Sequence, residues 1–152
     1  MLTAAGAGAG YAAGQITGKD IKDKSLGPND LLVRVAAKQV DDDAIPSGST
    51  APRKALQVKI KAPTKGYLVV TASSDVFDFA ASQEQTSCAI AVDDKYAKGS
   101  YRSIKVGGAD TETNCETNVT VPVAAGAHTV AFYADVLDAG VTYDETALSA
   151  EF

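Results

Sequence analysis

Residues 56–76 read LQVKIKAPTKGYLVVTASSDV, and their pattern decides the fold. Leu56, Val58 and Ile60 alternate with Gln57, Lys59 and Lys61. A period of two puts the apolar set on one face of an extended chain and predicts a half-buried strand. Pro63 to Gly66 then turns the chain, because proline presets its own φ and glycine leaves the exit unrestricted. Tyr67 to Ser73 is apolar on both faces, which predicts a central strand. Val76 to Ala80 extends that strand or starts another.

The same punctuation runs outward in both directions. Upstream, Leu31, Val33, Val35 and Ala37 alternate and predict a first strand, with a short helix starting near Pro28 as the competing reading. Residues 41–53 form a loop containing Pro46, Gly48 and Pro52. Downstream, Ser82 to Ser87 reads as polar loop, Cys88 to Val92 as a strand, and Asp93-Asp94 as a turn. Tyr101 to Val106 and Cys115 to Val123 follow as strands, separated by a turn at Gly107-Gly108. Ala124 to Ala127 turns at Gly126, and Thr129 to Val136 places Val130, Phe132, Ala134 and Val136 on one face. Asp138 to Gly140 turns again, and Leu148, Ala150 and Phe152 alternate in a closing strand. About eight short strands at this spacing, with no long helical period, predict an all-β, antiparallel β-sandwich of the jelly-roll kind over residues 31–152. An immunoglobulin-like sandwich is the alternative, though the tryptophan usual in antibody-type cores is missing.

Ahead of the sandwich lie two non-globular segments. Residues 1–14, MLTAAGAGAGYAAG, are small, apolar and uncharged. They read as the end of a signal peptide, cut short upstream and given Met1 to start translation, or else as a flexible Ala/Gly arm. Residues 15–30 carry a period of five: Ile16, Ile21, Leu26 and then Leu31, with Asp20, Ser25 and Asp30 each one place before. Five fits neither helix nor strand. It suits a coil that turns a corner every five residues, although Lys19, Lys24 and Asn29 stand where such coils want small side chains. One coil cannot bury its own apolar edge, so this segment docks on the sandwich, winds around copies of itself or stays flexible, with docking or self-association the favoured expectation.

Composition narrows the function classes. The chain has 152 residues, 45% of them hydrophobic, which is enough for one domain with a core. Its formal charge is −5 with the acids scattered, so it offers no basic face and nucleic acid is excluded as a partner. No stretch is apolar enough to make a membrane-spanning helix. Cys88 and Cys115 each keep phase with apolar neighbours and point inward. In an exported chain two such cysteines pair, whereas two buried free thiols would fit a cytosolic one. Two cysteines and one histidine lack zinc-ligand spacing.

Catalytic chemistry finds little support. His128 is the single histidine, it follows a tight turn, and no G-x-S-x-G elbow accompanies it. Asp41, Asp42 and Asp43 form the densest acidic run and are calcium candidates, as are Asp93 and Asp94, but the spacing of a calcium loop is absent and consecutive acids in a loop are usually just solvated. Asn118-Val119-Thr120 is a glycosylation sequon, with Asn118 and Thr120 outward on a strand. No glycine-rich loop precedes a helix, so nucleotide binding has no basis, and no cofactor is implied. Paired carboxylates from distant strands would permit glycoside hydrolysis, but no aromatic-rich cleft accompanies them and Trp, the usual sugar platform, is absent. Tyr67, Tyr96, Tyr101, Tyr133 and Tyr143 offer material for a binding surface, with Tyr96 and Tyr101 the candidates, while most of the five are better explained as strand residues with one wet edge.

Two resemblances add to this. The segment ITGKDIKDKSL, residues 16–26, resembles secreted actinobacterial proteins that carry I-T-G-K-x-I-K-[DN]-x-[ST]-[IL] after the signal peptide. The pieces APTKGYLVVTASSDV, CAIAVDD, VPVAAGAHTVAF and ALSAEF resemble the β-domains that follow such segments. That likeness implies a secreted or cell-surface location and says little about activity. Separately, the turn of residues 62–67, the G-x-H-x-V strand at 126–130 and the apolar last strand are similar in order to the jelly rolls of complement-type and tumour-necrosis-factor-like heads. Those heads form trimers; this chain departs from them in using Val and Ala where they use core aromatics. The expected function is therefore a non-enzymatic extracellular module that binds a protein or a cell-surface ligand, or serves as a structural head. A carbohydrate-binding module, a homotrimeric assembly domain and, last, a hydrolase are the alternatives.

Overall fold

The computed structural model describes residues 34–41, 52–79, 83–107, 111–135 and 140–152. The arm at 1–14, the period-five segment at 15–30, Leu31, Val33, Asp42 and Asp43 lie outside the described residues. The described chain is built from nine strands: β1 (Val35–Val40), β2 (Arg53–Ala62), β3 (Gly66–Asp78), β4 (Glu84–Val92), β5 (Lys95–Tyr96), β6 (Arg102–Val106), β7 (Thr111–Val123), β8 (Gly126–Asp135) and β9 (Val141–Glu151).

These strands pair antiparallel in two sheets. The first sheet runs β1-β9-β3-β7. The second runs β2-β8-β4, with β5 and β6 sharing the far edge of β4: β6 pairs with Glu84 to Cys88 and β5 with Ala91 and Val92. The chain crosses from one sheet to the other at nearly every step, which is the wiring of a jelly roll. β3 is central in its sheet, as its two-sided apolar pattern predicts, and it continues unbroken through Val76 to Asp78.

Alternation sets what each strand buries. Leu56, Val58 and Ile60 face inward from β2, Leu68, Val70 and Val76 from β3, Ile90 from β4, Val130 and Phe132 from β8, and Leu148 and Ala150 from β9. Valine and alanine do most of the filling, and among the described residues the aromatic side chains fully buried between the sheets are Phe132 and Tyr143. Cys88 of β4 and Cys115 of β7 form a disulfide that ties the second sheet to the first across a 27-residue separation. Loop entropy alone assigns such a closure about 3.5 kcal/mol.

The chain end is locked into the first sheet. Phe152 N–H donates to Arg34 O at 2.8 Å and Arg34 N–H donates to Phe152 O at 3.2 Å. The Phe152 ring sits 2.7 Å from where a Cβ on Gly66 would stand, so a side chain at this turn would have to displace the ring.

Several strand limits and one phase differ from expectation. β4 begins at Glu84 within the stretch read as polar loop, because Thr86 and Ser87 are buried and hydrogen-bonded rather than solvated. β7 and β9 begin early, at Thr111 and Val141, and β8 begins at Gly126 inside the expected turn. β1 faces the opposite way: Ala36 and Val40 pack on the core while Val35 is 65% exposed. Its register against β9 decides this, since Ala36 lies opposite the buried Ala150. Tyr143, read as a strand residue with a wet edge, is fully buried.

Two serines repair breaks in the ladders. Where β3 and β9 slip register between Ser73 and Asp75, Ser74 Oγ donates to Asp144 O at 2.7 Å and lies 2.8 Å from Thr146 Oγ1. Where β5 ends and β6 has not begun, Ser100 Oγ accepts from Ile90 N–H at 3.1 Å and donates to Ala97 O at 2.8 Å. Both serines are completely buried, so each hydroxyl meets a need that water cannot.

Candidate binding site

The second sheet turns an outer face to solvent, and its pattern follows from alternation. On β8 the residues out of phase with Val130, Phe132 and Ala134 are Ala131, Tyr133 and Asp135. On β4 they are Ser87, Ala89 and Ala91, and the register sets Ser87 opposite Asp135 and Ala89 opposite Tyr133. Small residues on β4 beside a large one on β8 leave a step in the surface.

That step becomes a cavity of about 320 Å³ because aromatic side chains stand around it. Ser87 and Ala89 form the floor; Tyr96, Tyr101 and Tyr133 line the sides, with Asp135 opposite Ser87. The floor residues are buried although they lie on the outer face. Tyr96 and Tyr133 meet edge to face, 5.4 Å between ring centres at an angle of 71°. Tyr96 is 57% exposed and Tyr101 62% exposed.

Tyr96 and Tyr101 are brought to one cavity by the loop between β5 and β6. The Asp93-Asp94 turn has φ of 51° and 60°, a left-handed pair that aspartate tolerates, and it folds β5 back so that Tyr96 lies opposite Ala91. Ser100 then fastens the loop to β4, and its own carbonyl accepts from Thr117 Oγ1 of the first sheet at 2.7 Å. Arg102 Nη1 donates to Gly99 O at 3.3 Å and Tyr101 O at 3.2 Å, closing the loop beside Tyr101.

Beneath the floor lies a hydroxyl cluster. The Thr86 and Tyr143 hydroxyls are 2.8 Å apart, Thr86 Oγ1 lies 2.6 Å from Asp135 O, and Tyr143 OH lies 2.9 Å from Ser87 O. Two hydroxyl protons make two of these three short contacts hydrogen bonds at a time, and when Thr86 and Tyr143 donate to the Asp135 and Ser87 carbonyls the cluster holds the backbone of both strands under the cavity. Burial pushes the Tyr143 phenol up to about 12, which keeps it protonated. Asp135 itself is different: its Oδ1 is buried and has no hydrogen-bond partner among the described residues.

A second polar feature sits at the far end of β8. His128 Nδ1 lies 2.8 Å from Asp93 Oδ2, and Nε2 lies 2.9 Å from Ala124 O. Both neighbours are acceptors, so both ring nitrogens are satisfied only when the imidazole is protonated. The Asp93 hydrogen bond, then that of Ala124, raises the His128 pKa against the opposing effect of burial. Burial would raise the Asp93 carboxyl, but the His128 and Thr129 hydrogen bonds outweigh it and hold the group below its usual value. This pair clasps the Asp93-Asp94 turn to β8, and no serine takes part in it.

The other sequence candidates do not assemble. Asp41 is exposed on the end of β1, and no three His, Cys, Asp or Glu residues gather to hold a metal among the described residues. Tyr67 lies outward on the first sheet, away from the cavity. Asn118 and Thr120 are exposed, as alternation requires. No helix among the described residues is long and apolar enough to cross a membrane. Asp135 was not singled out in the sequence; its signal was the β8 alternation, which puts it in phase with Tyr133.

No protein-family model matches this sequence, and no curated protein matches it. Solved structures do. A protein of infectious bursal disease virus, strain Gx, superimposes with a TM-score of 0.52 at 12% identity, over 79% of this chain and 32% of the viral one. The Eiger TNF of S. frugiperda gives 0.37 at 14% identity, over 75% of this chain and 83% of its own. A carbohydrate-binding module from the Cellvibrio mixtus lichenase 5A, in complex with cellotriose, gives 0.35 at 16% identity, over 74% and 95%. The chain thus spans about a third of the viral protein it matches. At these identities the viral match shows a shared fold alone, and the two weaker matches carry no argument. The chain is an antiparallel jelly-roll sandwich.

Proposed function

We propose that this protein is a non-enzymatic binding module that works outside the cell and takes its ligand into the tyrosine-walled cavity of the second sheet. The observation that carries this reading is the pair Tyr96 and Tyr101, both more than half exposed at one concave, apolar site. Exposed aromatic surface around a cavity marks ligand sites. The loop that presents both rings is fixed by Ser100 and Arg102, so the cavity is formed before a ligand arrives. The inter-sheet disulfide suits an oxidising compartment. The single histidine is occupied by Asp93 and Ala124 O, which leaves it no serine to activate.

The test is an array of immobilised glycans, peptides and lipids, probed with the wild type and with Tyr96→Ala/Tyr101→Ala. The expected result is a defined set of hits that the double variant loses while its unfolding midpoint stays near that of the wild type. Hits retained by the variant would place the binding surface elsewhere.

A homo-oligomer through the first sheet is the second reading. Val35 and Val69 both lie opposite Glu151, with Tyr67 beside them on β3, and all three are at least half exposed. Light scattering on the full chain and on Val69→Lys tests it: a trimer reduced to monomer by the lysine supports assembly, and a monomer in both forms removes it.

A further inference from the structure

We infer that the cavity selects a quaternary ammonium group, carried either by a small free molecule or by a lipid headgroup. The inference rests on the cavity being the binding site and adds the chemistry of what fills it. Three features lead there.

The sides are aromatic and meet at an angle. Tyr96 and Tyr133 stand at 71° to each other with Tyr101 on the same cavity. A sugar ring stacks best on one open flat face, whereas several rings grouped around one hollow suit a rounded cation. The protein already uses one of these faces in that way, because Lys54 Nζ sits 5.8 Å from the centre of the Tyr133 ring.

The lining offers carbon and few hydrogen-bonding atoms. A sugar would bring several hydroxyls into a site whose side-chain polar groups are Ser87, Ser100, Asp135 and the tyrosine edges, with Ser100 already bonded to Ile90 and Ala97, and its unmatched hydroxyls would lose their water without replacement. A primary ammonium has three protons to satisfy and meets the same shortage. A quaternary ammonium needs no hydrogen bond at all.

The one acid at the site lacks a cation. Asp135 Oδ1 is buried without a hydrogen-bond partner, and no ion pair reaches this carboxylate among the described residues. The nearby cations are engaged elsewhere: Lys54 lies 3.7 Å from Asp94, and Arg102 donates to the loop carbonyls. The charge of Asp135 is felt across the cavity, where it helps raise the Tyr96 phenol after burial and Tyr133 have acted. A positive group without protons gains from that field and does not require the carboxylate oxygen to be reached.

The test uses the full chain with carbon-13-labelled tyrosine, titrated with choline and with its neutral isostere, the alcohol in which carbon replaces nitrogen. Choline is expected to shift the Tyr96, Tyr101 and Tyr133 ring signals and to bind roughly ten-fold more tightly than the isostere. Asp135→Asn, which keeps the shape, is expected to weaken choline binding by about the same factor and leave the isostere unchanged. Phosphatidylcholine vesicles against phosphatidylglycerol vesicles, in a sedimentation assay, then separate the two sources: retention on the first supports a headgroup, and choline binding without it supports a free small molecule. Equal binding of choline and isostere overturns the inference and leaves the cavity as an apolar site. Ring shifts with lysine amide or a methyl glycoside but not with choline also overturn it, while sustaining the cavity as the binding site. If no probe moves the three rings, the inference fails, and the array result with Tyr96→Ala/Tyr101→Ala decides the cavity separately.

Discussion

The two sheets carry hollows of nearly equal size on their outer faces, about 300 Å³ on the first and about 320 Å³ on the second. The first is a trough of Ala37 and Gln39 from β1, Thr71 and Ser73 from β3, and Ala147 and Ser149 from β9. It consists of small and polar side chains laid along regular strands, and nothing aromatic borders it. The second has an equally small floor, but tyrosines stand over it and Asp135, whose buried Oδ1 has no hydrogen-bond partner among the described residues, lies at one end. Volume therefore does not distinguish a site from a dent. What distinguishes them is the loop between β5 and β6, which breaks the edge of the second sheet and raises Tyr101 beside Tyr96.

The comparison can be broken hardest from below. Phe132 is fully buried beneath the second sheet, and Phe132→Ala is expected to cost about 3–5 kcal/mol in denaturant unfolding. Removing the disulfide by Cys88→Ser/Cys115→Ser comes next, at about 2–4 kcal/mol, measured the same way against the oxidised wild type. A loss well under 1 kcal/mol there would mean that the sheets hold together without the crosslink.

Ser100→Ala sharpens the contrast between the two faces. It leaves the buried Ile90 N–H without its partner and is expected to cost about 1–3 kcal/mol. It should also free the loop, seen as faster hydrogen exchange at Ala97 to Tyr101. The matching change in the trough, Ser149→Ala, removes a hydroxyl from an open face and should stay within about 0.5 kcal/mol. Equal effects from the two serines would mean that the loop is not held as described.

The smallest effect is in pH. The His128 pKa is raised on folding, so its stabilisation is complete below the ordinary value of 6.5 and fades as pH rises through the folded value. The Asp93 pKa is lowered, so its share is present above 3.8 and is lost as pH falls through the folded value. The clasp on the turn is therefore strongest between about pH 4 and 6.5. A slight fall in unfolding midpoint is expected as pH rises through neutrality, and His128→Gln should abolish that fall.

Much of the sandwich was legible because alternation is a local signal. Leu56, Val58 and Ile60 announce β2, and the tight turns at Asp93-Asp94 and Gly126 carry the residues that such turns demand. The misreadings share one cause. Thr86, Ser87 and Thr111 look like loop residues, and only their partners in other strands make them strand residues. The phase of β1 was hidden for the same reason, being set by β9 more than a hundred residues away. Within the site, Tyr96 and Tyr101 were identifiable as aromatic residues in polar surroundings. Their meeting in one cavity was not, since it depends on Ser100 replacing a strand and on the small floor of β4. For Asp135 the alternation of β8 gave only its face, in phase with Tyr133; that its Oδ1 is buried depends on the neighbouring strands.

The most direct test of the account is binding measured side by side on the two faces. The strongest array ligand would be titrated against Tyr96→Ala/Tyr101→Ala and against Thr71→Arg/Ser149→Arg, which fills the trough. The account predicts that the tyrosine variant loses binding and the trough variant keeps it. The reverse result would contradict the assignment of function to the second sheet.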